Sequence, residues 1–173
     1  MIVGFWFLGS GDLIGVDMSG NFLAFGRLYG LLAVFFALFQ FILMGRTVWI
    51  ERAFGLDRLS RVHRINGYFT FVFIFLHVVL ILFAYSLRSG YSLFDQLVRF
   101  VLYYDDLWQA VVSFFLFSLV VGLSIAVARR RFRYEVWYAV HLATYLAIVL
   151  AFGHQLELGG DFSHDLFVMY WYG

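Results

Sequence analysis

Four of the five histidines lie in two strongly apolar segments of the chain at similar spacings. His63 and His77 are 14 residues apart in one segment, and His141 and His154 are 13 residues apart in the other. A polar residue inside a membrane is costly, so an intramembrane histidine is by default a hypothesis for a functional site. The chain has no cysteine, which excludes thiolate metal sites and iron–sulfur clusters and leaves the histidines as the main candidates for metal ligation.

These two segments belong to a set of four that could each cross a bilayer, which takes about 20 helical residues. The chain is 64% hydrophobic and 13% charged, whereas a soluble domain is about half apolar and a quarter charged. Its net charge of +1 provides no basic field for nucleic acid. We predict an all-α membrane protein, a transmembrane helix bundle in the lipid bilayer. Its four full spans cover approximately residues 22–44, 65–87, 107–128 and 136–156.

Two short apolar pieces flank the four spans, at residues 1–8 and 165–173. Neither is long enough to cross a bilayer. We interpret both as parts of further helices that are truncated here, which predicts a six-helix domain in the uncut protein.

The two histidine-bearing spans run in the same direction, because one antiparallel span separates them. His63 is therefore level with His141 near one membrane surface, and His77 is level with His154 near the other. At about 1.5 Å per residue the two levels lie roughly 21 Å apart, which leaves room for two stacked haems. Iron with two histidine ligands has no open site and suits electron transfer. We predict an inner b-type haem on the first pair and an outer one on the second; the alternative is that all four are packing residues.

Helix geometry predicts a distortion in the fourth span. At about 100° per residue, 14 residues return to within about 40° of the same helix face, whereas 13 residues miss it by about 140°. The fourth span must therefore be tightened or bulged between His141 and His154. Gly153 would ease such a distortion.

Arginine placement predicts the orientation of the bundle, because cytoplasmic loops retain positive charge. The loops that follow the first and third spans are both rich in arginine and lie on the same side, which we predict to be cytoplasmic, in the cell membrane. Haem propionates also need cations. Candidates at the inner haem are Arg61, Arg64, Arg129 and Arg130, and candidates at the outer haem are Arg27 and Arg88. The alternative for the inner arginines is that they only set the topology.

Three weaker patterns concern packing. Apolar residues repeat every three to four positions between Leu93 and Leu102, which predicts a short amphipathic helix either on the outer interface or packed on the bundle. Gly26 and Gly30 have GxxxG spacing, a sign of close helix packing. Aromatic candidates for the gap between the haems are Phe69, Phe73 and Tyr145.

At these residues the sequence resembles the ferric reductase–NADPH oxidase superfamily of transmembrane haem proteins, over nearly the whole chain. The resemblance rests on the stretch GLDRL at 55–59 leading to VHR at 62–64, on the paired histidine spacings, and on the basic turn before residue 134. It implies that residues 1–173 form a ferric reductase-like transmembrane domain. It also implies a cytoplasmic dehydrogenase module that binds FAD and NAD(P)H as the electron source. No glycine-rich dinucleotide fingerprint is present, so this module is a missing domain or a separate chain.

Arg27 stands 19 residues before Arg46, which is similar to the oxidases that make superoxide. In those oxidases the outer arginine neighbours the outer haem and the oxygen site, and this resemblance makes Arg27 the candidate for the acceptor site. The same oxidases have a second histidine one turn beyond the outer ligand, where this chain has Ile81. Ferric ion, oxygen and a protein partner therefore all stay open as the acceptor of this oxidoreductase.

Two other functions compete with this prediction. The first is a haem-binding membrane subunit that feeds electrons to a periplasmic methionine sulfoxide reductase. The second is a haem-free transporter or channel with a polar histidine path. A transporter predicts polar residues spread through the spans, whereas these spans are otherwise nearly free of charge.

Overall fold

The computed structural model describes residues 2–104, 107–128 and 133–158. Those residues form eight α-helices, with a 3-10 turn at Gly11–Leu13 and no strand among them. The helices are α1 (Ile2–Ser10), α2 (Met18–Met44), α3 (Val48–Phe54), α4 (Leu56–Ser89), α5 (Leu93–Tyr103), α6 (Leu107–Ala128), α7 (Tyr134–His141) and α8 (Ala143–Leu158).

The prediction of four membrane spans in an all-α bundle is confirmed. The helices α2, α4 and α6, together with the consecutive pair α7 and α8, are long and apolar enough to cross a membrane. The first helix and the turn after it are apolar but shorter. The predicted piece at 165–173 lies outside the described residues.

Helix α4 is much longer than the span predicted at 65–87. Its 34 residues extend about 51 Å, whereas the hydrocarbon core is about 30 Å thick. Arg58, Arg61 and Arg64 therefore lie on the first turns of a helix and not in a loop. Arginine is a good helix former, so the local propensity favours this extension beyond the membrane.

A small apolar cluster holds the extended end of α4. Leu59 is buried against Leu43 at the end of α2 and Ile50 in α3. The chain turns between α3 and α4 at Gly55, whose φ of 77° is a conformation that glycine adopts without strain. The short helix α3 therefore braces α4 at the arginine-rich end of the bundle.

Helices α2 and α4 pack closely along their length. A Cβ at Gly26 would lie 3.0 Å from Cδ1 of Ile81, and a Cβ at Gly30 would lie 2.8 Å from Nδ1 of His77. This confirms the close packing predicted from the GxxxG spacing. A side-chain amide also crosses the seam, because Nδ2 of Asn66 donates to the carbonyl oxygen of Phe36 at 2.8 Å.

The outer end of this seam is held by polar contacts. Nε of Arg88 donates to Oγ of Ser19 at 3.1 Å. Asp17 caps the start of α2, and hydrogen bonds from the backbone N–H of Gly20 and then from the Ser19 hydroxyl lower the pKa of its carboxyl group. The outer end of α4 is thereby tied to the beginning of α2.

The fourth span is interrupted, as predicted, but the break lies at Leu142 and not at Gly153. The backbone N–H of Tyr145 donates to the carbonyl of Leu142 at 3.1 Å, a tightened three-residue turn. The carbonyl of His141 instead accepts from Oγ1 of Thr144 at 2.6 Å. Gly153 lies within α8, where it leaves space for Gln109.

The predicted amphipathic helix is confirmed as α5, which packs against α4 and α6. Gln96 and Phe100 are buried on its inner face, whereas Phe94 and Leu102 are exposed. The helix thus covers the outer end of the bundle and turns an apolar face away from it.

Candidate functional site

The four predicted histidines form two pairs, each joining α4 to the fourth span. The ring centroids of His63 and His141 are 6.0 Å apart, and the ring planes are inclined by 65°. The centroids of His77 and His154 are 6.4 Å apart, with an inclination of 58°. The predicted pairing at two levels is therefore what the fold produces.

Both separations fit one metal ion held between two imidazoles. With metal–nitrogen bonds of about 2 Å on each side, the ring centroids would lie roughly 6 Å apart. Among the described residues there is no group of three or more His, Cys, Asp or Glu side chains that could hold a metal. Each pair thus offers two ligands only, which suits an iron whose other ligands come from a porphyrin.

The orientation of His77 is fixed by the neighbouring helix. Its Nδ1 lies 2.8 Å from the carbonyl oxygen of Gly26, which can only accept, so Nδ1 carries the proton. The other ring nitrogen, Nε2, is left as the ligand atom. Metal-binding histidines usually have such a partner for their second nitrogen, because it fixes the tautomer and the ring orientation.

A cavity of 240 Å³ opens beside the outer histidine pair. His77, His154 and Arg27 all contribute to its wall. Several other wall residues are small, which leaves space for a flat prosthetic group: Gly30, Ala33, Ala110, Ser113 and Ala151. Tyr85, Phe100 and Tyr104 also contribute to the cavity wall.

The structure therefore brings Arg27 to the same cavity as the outer pair. Nη1 of Arg27 donates to Oγ of Ser10 at 3.4 Å, a long hydrogen bond that leaves most of the guanidinium donors available. Arg88, the other outer candidate, contacts Ser19 and does not contribute to the cavity wall.

The inner histidines are positioned by two residues that the sequence reasoning missed. The ring of Trp137 lies over that of His141, with centroids 5.0 Å apart, and its Nε1 donates to Oγ of Ser124 at 3.0 Å. On the other side, Nε2 of Gln40 donates to the carbonyl oxygen of His63 at 3.1 Å. The available signals were an aromatic residue one turn before His141 and a lone amide in an apolar span.

The inner arginine candidates divide into two groups. Arg61 and Arg64 are exposed on α4 beside His63, and in the part of the chain described neither forms an ion pair. Arg129 and Arg130 lie outside the described residues. All four stay predictions.

The three aromatic candidates for the gap between the haems pack in two groups, and their place in that gap stays a prediction. Phe69 and Phe73 lie against Phe36, with ring centroids 6.1 and 5.2 Å away. Tyr145 lies 5.8 Å from Phe41. None of the three candidates is part of the cavity wall.

The contact at Gly30 predicts a large difference between two glycine variants. In Gly30→Ala the new Cβ would stand 2.8 Å from Nδ1 of His77, so the ring or the helix must shift, at a cost of about 1–3 kcal/mol. In the matched control Gly122→Ala, within α6, the Cβ meets nothing within 4 Å. Thermal unfolding in detergent, followed by circular dichroism, should show destabilisation of the first variant only. Equal stability of the two variants would contradict the close approach.

A family model described as ferric reductase like transmembrane component matches residues 29–152. The matched range includes His63, His77 and His141 and ends two residues before His154. No curated protein and no solved structure matches the chain.

Proposed function

The chain belongs to the ferric reductase-like transmembrane family, and from that premise we propose that it carries electrons across a membrane through two b-type haems. The observation that supports this most strongly is the geometry of the two histidine pairs. Each pair has the ring separation that a single metal requires. His63 and His141 would hold the inner haem, and His77 and His154 the outer one.

When bound, haem supplies an iron that accepts and releases one electron at a time. The chain's own residues determine how that iron is used. Each pair would supply two protein ligands to its iron, which suits the passage of electrons and not the binding of a substrate. The carbonyl of Gly26 holds the Nδ1 proton of His77, which keeps Nε2 directed away from α2. The largely apolar walls of the cavity limit the access of water to the outer pair.

The direction of transfer follows from the arginine distribution. We place the arginine-rich ends of the spans in the cytoplasm and the bundle in the cell membrane. The electron donor is a dehydrogenase that binds FAD and NAD(P)H, on a further domain or a separate subunit, and residues 1–173 are the membrane domain. The acceptor on the other side is ferric ion or oxygen.

Two competing functions are consistent with some of the same observations. A membrane subunit for a periplasmic methionine sulfoxide reductase uses the same scaffold with a different donor and acceptor. A haem-free transporter would need a continuous polar path. Three of the buried polar side chains instead donate to backbone carbonyls: Asn66, Thr70 and Ser113. This arrangement favours the haem proposal over a transport path.

The proposal is tested by the absorption spectrum of the purified protein and its haem-to-protein ratio. We expect the Soret and α bands of low-spin b-type haem and a ratio close to two. A protein that folds in detergent without a Soret band, after expression with sufficient haem, would refute electron transfer through haem.

The orientation is tested by cysteine labelling, which has no background because the native chain lacks cysteine. Arg58 lies in the first turn of α4, and Ser92 lies beyond its other end, at the start of α5; both are exposed. In intact cells, Arg58→Cys should resist an impermeant thiol reagent, and Ser92→Cys should react with it. Both should react in permeabilised cells, and the reverse pattern would overturn the proposed orientation and the direction of electron flow that rests on it.

A further inference from the structure

The α2–α4 seam brings corresponding residue positions into contact at the inner and outer levels. His77 lies beside Gly26, and His63 lies beside Gln40. The two α4 residues are 14 apart, and so are the two α2 residues, but in the opposite direction along the chain. Since the helices are antiparallel and 14 residues make almost four turns, Gln40 occupies the inner position that corresponds to Gly26.

Gly26 and Gln40 each make a second contact with α4, at the residue four positions after the histidine. A Cβ at Gly26 would meet Ile81, four residues after His77, and Nε2 of Gln40 lies 3.1 Å from the Cβ position of Gly67, four residues after His63. The correspondence between Gln40 and Gly26 thus rests on two contacts at each level.

The two levels differ in the side chain that bridges the helices and in the partner of the histidine Nδ1. At the outer level the Gly26 carbonyl accepts from His77. At the inner level both Nδ1 of His63 and Oε1 of Gln40 are buried without a hydrogen-bond partner in the described structure. These two atoms belong to residues that are already joined, because the Gln40 amide donates to the His63 carbonyl at 3.1 Å.

We propose that Gln40 is the positioning residue of the inner site, with its Oε1 accepting the Nδ1 proton of His63. This rests on the proposed function, since it concerns the histidine that would hold the inner haem. One amide then serves His63 twice: its N–H group fixes the backbone, and its oxygen fixes the ring tautomer and leaves Nε2 for the metal. It also relieves two buried polar atoms that would otherwise be costly.

The expected consequence is a lower midpoint potential for the inner haem than it would have without Gln40. A hydrogen-bond acceptor on the second nitrogen makes the imidazole more basic, and a more basic ligand favours the oxidised iron. Loss of such an outer partner typically lowers metal affinity by about 10-fold or more, and we expect this loss to fall on the oxidised iron. For a one-electron couple, a tenfold change corresponds to about 59 mV.

The test is a redox titration of the full-length haem-loaded protein and three variants. Gln40→Met removes the acceptor and should raise the inner midpoint potential by about 59 mV or more without moving the outer one. Gln40→Glu restores an acceptor and should not raise it. Asn66→Leu is the matched control, because Asn66 also donates an amide across the same seam, to Phe36. It should lower stability but leave both potentials in place.

The results separate this proposal from a purely structural role. An unchanged inner potential in Gln40→Met, or an equal rise in Asn66→Leu, would overturn it. If the methionine variant does not fold, Gln40→Asn keeps the amide but withdraws it by one methylene. It should also raise the inner potential, and an unchanged value there would overturn the proposal. Absence of an inner haem from the wild-type protein would instead refute the proposed function.

Discussion

Replacing His77 or His154 with leucine should remove the outer haem and leave most of the inner one. The ring centroids of His77 and His154 are 6.4 Å apart, so either variant leaves only one of the two imidazoles that would hold the outer haem. The inner pair lies roughly 21 Å away along α4 and uses separate side chains, so it should keep its haem. The reciprocal result is expected for His63 and His141.

The measurement is the haem-to-protein ratio by pyridine haemochrome assay, together with the low-spin signals in the electron paramagnetic resonance spectrum. Each single variant should retain one haem per chain and lose one of two low-spin signals. The variants of one pair should have matching spectra, and the two pairs should differ from each other. Asn66→Leu on the same helix controls for general damage to α4, and it should retain both haems. A ratio unchanged from the wild type in both His77→Leu and His154→Leu would show that the ligand assignment is wrong.

The histidine pairing was predictable from the sequence because it depends only on helix direction and helix length. The direction of alternate spans and the rise per residue are enough to place His63 level with His141 and His77 level with His154. No side-chain conformation enters this argument. The structure adds the ring separations, which follow from how closely the helices pack.

The location of the break in the fourth span was not predictable from the same reasoning. Helical phase indicated that a distortion was needed, and Gly153 was the obvious place for it. The break instead occurs where the carbonyl of His141 accepts a hydrogen bond from the Thr144 hydroxyl in place of a backbone N–H. Threonine can also bond within a regular helix, so its presence alone does not mark an interruption.

The extent of α4 and the role of Gln40 were missed for a related reason. The arginine-rich stretch after the first span was predicted to be a loop, because topology rules count charge and ignore helix propensity. Gln40 was overlooked because a single amide in an apolar span has no periodicity. Its significance depends on an interhelical register that only the folded bundle defines.

Replacing Arg27 with alanine should slow electron delivery to the outer acceptor and lower the midpoint potential of the outer haem. Arg27 contributes to the cavity wall together with His77 and His154, so its charge acts on the outer site. At a separation of about 10 Å and an effective dielectric constant of about 20, a unit charge contributes roughly 1.7 kcal/mol, which is more than a factor of ten. Loss of a cation favours the oxidised iron, and it also removes a partner for the negative charge that oxygen gains when it accepts an electron.

The inner site provides an internal reference for this variant. Reduction of the inner haem by an added flavin donor should be nearly unchanged in Arg27→Ala, because the inner pair lies about 20 Å away. Arg99→Ala is the matched control on the outer side. The Arg99 guanidinium lies 4.3 Å from the ring centre of Tyr91 and is not part of the cavity wall. Redox titration and stopped-flow oxidation of the reduced protein should therefore show an effect for Arg27 and little for Arg99.

A lysine variant distinguishes a role in the site from a role in anchoring. If Arg27 only holds the first span at the membrane surface, lysine should substitute for it fully, because both side chains can reach the interface. If it acts on the acceptor, lysine should keep the outer potential near its native value but recover only part of the oxidation rate. The reason is that an ammonium group carries the charge without the planar set of donors that a guanidinium directs at a bound anion. An alanine variant with both the outer potential and the oxidation rate of the wild type would exclude Arg27 from the acceptor site.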